Sequence, residues 1–89
     1  MLEQETEIIN KLGLHARAAT KFANTAKYFG CDIRLVLNGK TIDGKSIMSL
    51  MLLAAGKGTH LTIQTEGADE QEAMHALISL IDNRFEEDE

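Results

Sequence analysis

At 89 residues, with 44% hydrophobic content and only four aromatic side chains, the chain has room for one two-layer aliphatic core. Its formal net charge of −5 is misleading, and a single cysteine, Cys31, excludes an internal disulfide and agrees with a reducing compartment. Much of the negative charge falls in residues 86–89, an acidic stretch expected to be the frayed, solvated tail of a single domain spanning 1–89.

Residues 1–85 carry ten acids against nine bases, and none of the acids lies between Glu7 and Asp32, where Lys11, Arg17, Lys21 and Lys27 all fall. This stretch is locally positive, yet too small and too poor in aromatics to read nucleic acid. It suits a phosphate group or an acidic protein partner. The first residues are acidic and lack a signal-peptide pattern, and no apolar run approaches a membrane span. The expectation is a soluble, cytoplasmic protein with no membrane insertion.

In chain order, residues 3–9 alternate loosely and end in Ile8 and Ile9, as a first strand would. A turn over Asn10–Leu14 follows, with Gly13 supplying backbone freedom. From Ala16 to about Phe29, Ala19, Phe22, Ala23 and Ala26 share one helical face, and Gly30 is a natural stop. His15 therefore stands at or beside the N-cap. Asp32–Leu37 alternates with Ile33, Leu35 and Leu37 on one side, Asn38-Gly39 is a hairpin signal, and Lys40–Asp43 is the return strand. Ser46 caps a short helix through Leu53, apolar almost all round. Thr59–Glu66 alternates as a fourth strand with Leu61 and Ile63 inward. Asp69 and Glu72 have the spacing of a capping box before a last helix, whose apolar face is Ala73, Met74, Leu77, Ile78, Ile81 and Phe85. The order β-α-β-β-α-β-α, with helices that are apolar on one face, predicts an α+β fold in which an antiparallel sheet is covered on one side.

Of the three histidines, His75 lies on the polar face of the last helix and His60 points away from Leu61 and Ile63. Both read as surface residues. No Cys/His/Asp spacing suggests a metal site, and no cofactor is implied. His15 differs. A histidine there is a poor helix cap, but an imidazole nitrogen can attack phosphorus, while a helix start offers N–H donors to phosphoryl oxygens. Arg17, two residues on, can add charge-assisted hydrogen bonds or be an ordinary surface residue.

The run Asn10-Lys11-Leu12-Gly13-Leu14-His15-Ala16-Arg17 resembles the active-site signature of the histidine-containing phosphocarrier protein (HPr) family of the sugar phosphotransferase system. A second stretch, Gly44-Lys45-Ser46-Ile47-Met48-Ser49-Leu50-Met51, falls at the family's spacing, and the resemblance runs over essentially the whole chain. It implies an open-faced β-sandwich, a four-stranded antiparallel sheet with three helices on one face. It also implies that His15 accepts a phosphoryl group on Nδ1 from phosphorylated enzyme I, charged by phosphoenolpyruvate, and passes it to EIIA-type acceptors. In that reading Arg17 stabilises the phosphoryl group and the chain is a covalent intermediate, not a stand-alone enzyme. Ser46 matches the serine modified by an HPr kinase/phosphorylase in part of the family. Ala18 departs from the proline that many members carry, which would loosen the start of the helix without removing the chemistry.

With that reading, Leu50 and Leu53 pack inward while Ile47, Met48 and Met51 stay partly exposed as a docking surface for several partners. Transient encounters suit a monomer. Two alternatives stand beside it: a nitrogen-branch regulatory phosphocarrier using the same His15, and a non-catalytic ligand-binding or regulatory α+β domain.

Overall fold

A computed structural model describes residues 1–89. Four strands, β1 (Leu2–Glu7), β2 (Asp32–Leu37), β3 (Lys40–Asp43) and β4 (His60–Glu66), form one antiparallel sheet in the order β1-β4-β2-β3. Three α-helices, α1 (Ala16–Lys27), α2 (Ile47–Leu53) and α3 (Glu70–Asp82), cover one face of it. This is the open-faced α+β sandwich that the resemblance implies.

Register explains which face is covered. Opposite one another on β2 and β4 stand Ile33 with Thr65 and Leu35 with Ile63, and all four are buried. Phe22, Ala19 and Ala23 of α1 and Leu77 and Ala73 of α3 complete the same core, each with no exposed surface. Thr65 is tolerated there because its hydroxyl donates to the Glu70 carbonyl at 3.0 Å. The other face is polar. Arg34 donates to Gln64 and to Glu66, and Gln64 donates in turn to Glu3. No helix is long and apolar enough to cross a membrane.

Three local expectations are corrected. The first strand ends at Glu7, so Ile8 and Ile9 lie beyond it, with Ile8 fully buried. Asp69 makes no side-chain cap for α3. Its carboxylate accepts the Gly30 and Cys31 N–H groups at 2.9 and 3.0 Å, tying the end of α1 to the start of α3, while the Glu70 carboxylate takes the Gly67 N–H. Lastly, α3 stops at Asp82, and Phe85 is buried from a short turn over Arg84–Glu86 rather than from the helix.

Candidate functional site

The loop before α1 is held from three sides. Gly13 adopts φ +66°, and a Cβ there would stand 2.5 Å from the Ala55 carbonyl oxygen, so only glycine fits. That same oxygen accepts the Leu14 N–H at 2.8 Å, fixing the loop to the segment that follows α2. Asn10, fully buried, donates through Nδ2 to the Gly13 carbonyl at 2.8 Å. Its Oδ1 is the buried side-chain polar atom left without a partner.

His15 follows as the N-cap of α1, with φ −74° and ψ −180°, and its carbonyl accepts the Ala19 N–H at 2.8 Å. The imidazole makes no cap hydrogen bond to the helix start, and no acidic side chain occupies the first turn. The first N–H groups of α1 are thus without a side-chain partner from the N-cap. Ala18 is fully buried, and the helix is regular from Ala16. Arg17, on the first turn, is exposed.

The acidic C-terminal residues lie against this loop. Glu87 reaches His15 Nε2 with its Oε2 at 2.5 Å and accepts the Asn10 Nδ2 hydrogen bond on Oε1 at 3.0 Å. Its side chain is only 14% exposed. Burial pushes the Glu87 carboxyl up. Hydrogen bonds from Asn10 and His15, with the charges of His15 and Arg17, outweigh that and hold it below the ordinary carboxylate range. Around it Lys11 pairs with Glu89 at 3.3 Å and Lys21 with Glu86 at 3.6 Å. The locally positive stretch read from the sequence is therefore met in space by the chain's own acidic end. Lys11, Leu12, Arg17, Glu87, Asp88 and Glu89 line a shallow depression beside His15.

His15 Nδ1 makes no hydrogen bond within the protein and is not among its buried unpartnered atoms, so it reaches solvent. The site thus presents one imidazole nitrogen held by a carboxylate and the other open, above a helix N-terminus and near a guanidinium. That is an arrangement for nucleophilic attack by Nδ1 with an anion stabilised nearby.

The second stretch lies near the first: α2 packs against α1, and the Ala55-Gly56 segment that follows α2 packs on Gly13 and Leu14. Ser46 is the N-cap of α2, and its Oγ accepts the Ser49 N–H at 3.2 Å. Leu50 is fully buried, Leu53 and Ile47 are partly buried against the core, and Met48 and Met51 are exposed. Leu52 and Leu12 are exposed too, and sequence patterning missed both. For Leu52 the signal was the surplus of apolar residues in a seven-residue helix that has only one side to bury; for Leu12, in the loop before α1, no periodic pattern gave one. His75 is exposed, and so is His60, whose Nε2 lies 3.7 Å from a Glu7 carboxylate oxygen.

The comparisons with known proteins agree with this geometry. Residues 2–83 match the family model described as the PTS HPr component phosphorylation site. The chain is 54% identical over 89 residues to the phosphocarrier protein HPr of Cupriavidus necator, covering 100% of both, and 57% identical to that of Pseudomonas aeruginosa, covering 96% of both. Its structure is similar to that of HPr-C-His from Thermoanaerobacter tengcongensis, with TM-score 0.96, 42% identity and 100% of both chains covered. A second structure from that organism, described as an HPr dimer, matches with TM-score 0.79 and 42% identity over 98% of this chain and 100% of that one. The chain belongs to the HPr family, the phosphocarrier proteins of the phosphotransferase system.

Proposed function

We propose that His15 of this phosphocarrier accepts a phosphoryl group on Nδ1 from phosphorylated enzyme I and passes it to EIIA-type acceptor domains. The observation that carries this reading is the solvent-facing Nδ1 of an N-cap histidine whose helix start holds no side-chain cap. Attack forms the Nδ1–P bond as the donor's bond to phosphorus breaks and leaves with its electron pair. The N–H groups at the start of α1 and the Arg17 guanidinium then offer hydrogen bonds to the phosphoryl oxygens. In this reading Met48, Met51 and Ile47 form the docking face, joined by Leu12 and Leu52. Ser46 is the site at which an HPr kinase/phosphorylase regulates docking. The chain works as a single cytoplasmic domain and as a monomer, although three related structures are described as dimers. Sedimentation across a range of concentrations decides that point.

Incubation with phosphoenolpyruvate and enzyme I, followed by mass measurement, tests the chemistry. One acid-labile phosphoryl group, absent from His15→Ala, is the expected result. No addition from either a sugar-branch or a nitrogen-branch enzyme I would remove the reading.

A further inference from the structure

Residues Arg84, Phe85 and Glu86 all sit in the left-handed region, at φ of 55°, 53° and 65°. None is glycine, and L residues adopt this conformation only where their surroundings hold them in it. The turn persists because Phe85 is fully buried and its carbonyl accepts the Lys21 Nζ hydrogen bond at 2.7 Å. Its consequence is to deliver Glu87 to His15.

We propose that Glu87 is a positioning residue for His15, its carboxylate accepting the hydrogen bond of Nε2–H and so fixing the ring form whose Nδ1 lone pair faces solvent. The proposal rests on the phosphocarrier reading and deepens it. An ionised carboxylate can only accept, so the ring nitrogen that faces it must carry a proton. In a neutral imidazole that leaves Nδ1 as the sole nucleophile. Glu87 is kept ionised by its surroundings, as its lowered titration reflects. Asn10 prevents the carboxylate from turning away: its Nδ2 binds Oε1 while Oε2 faces the ring.

The same contact serves the product. When Nδ1 bonds to phosphorus, its lone pair is consumed and the Nε2 proton stays on the ring. The ring then bears positive charge opposite the Glu87 carboxylate, and loss of the group to an acceptor returns the lone pair to Nδ1. No proton has to enter or leave the site during either transfer. A carboxylate orienting an imidazole in this way is the device that hydrolases use behind their catalytic histidine.

Glu87→Gln keeps the shape and changes the chemistry. With Asn10 still donating to the amide oxygen, the amide nitrogen faces Nε2 and donates to it, which moves the ring proton to Nδ1. Ring-nitrogen NMR of the unmodified wild-type protein should show the proton on Nε2, and of Glu87→Gln a shift of it toward Nδ1. Phosphorylation of the variant by charged enzyme I should slow about tenfold or more. Glu87→Ala, which removes both acceptor oxygens, should give a mixture of ring forms and an intermediate rate. Ring spectra that match wild type in both variants would overturn the inference, whether or not the rate falls, since a slower rate alone would make Glu87 a docking group. If wild-type protein takes no phosphoryl group, the carrier reading fails while the ring spectra still judge Glu87.

Discussion

Gly13 governs the site through a single missing carbon. Its carbonyl is held by Asn10, its neighbour Leu14 is held by Ala55, and a Cβ at its position would meet that same Ala55 oxygen at 2.5 Å. Gly13→Ala therefore combines left-handed backbone strain with a clash against main chain that cannot swing aside. The expected cost is about 2 kcal/mol or more. In urea unfolding this appears as a lower midpoint with an unchanged slope. Because the clash displaces the loop that ends in His15, phosphoryl acceptance should fall more than the loss of folded protein explains. His15 is legible in sequence for a related reason: a glycine turn, a poor capping residue and a helical pattern are all local signals. Glu87 is not, because its role depends on a contact across 72 residues of chain and an acidic terminal run reads as solvated.

Elements were legible where each buries one face on its own period. β2 and β4 alternate because Ile33, Leu35, Leu61 and Ile63 enter the core, and α1 shows its apolar face because Phe22 and four alanines around it do the same. β1 was fainter, since its core-side positions opposite Thr65, Ile63 and Leu61 are Leu2, Gln4 and Thr6. The junction of α1 and α3 escaped altogether. Asp69 has the right spacing for a cap, but its oxygens are taken by Gly30 and Cys31 from a segment remote in sequence. Hydrogen bonding from the Gly30 N–H is the chief cause that lowers the Asp69 carboxyl from its ordinary 3.8. A depressed folded-state value means the ionised form favours the native state. The contribution is present above pH 3.8 and is lost as pH falls through the lower folded value. Asp69→Asn, which retains one acceptor and no charge, should lower Tm at neutral pH. That difference from wild type should shrink on acidification, and a constant difference across the acid range would refute the assignment to Asp69.

At the scale of the molecule, one face of the sheet is a polar network and the other is core, and His15 and its surroundings bring together segments from three parts of the chain. The loop over 10–14, the end of α2 and the acidic C-terminal turn meet there, so chemistry and recognition adjoin. Ser46 offers a way to alter one without the other. At the start of α2 its Oγ accepts the Ser49 N–H, and aspartate is at least as good in that position, its charge favoured by the helix start. Ser46→Asp should therefore change stability by no more than about 0.5 kcal/mol. The same charge, however, precedes a helix whose Met48, Met51 and Leu52 are exposed, where an acidic partner would be repelled and the desolvation of an apolar contact made costlier. Phosphoryl acceptance from enzyme I should need a higher concentration of the carrier, with the rate at saturation near wild type, because the substituted side chain lies outside the reacting atoms. Added salt should narrow the defect by screening the repulsion. A Ser46→Asp protein phosphorylated at the wild-type rate at every concentration would show that α2 does not dock enzyme I. A defect confined to the saturating rate would instead mean that the N-cap of α2 is coupled to His15 through the Ala55–Leu14 contact.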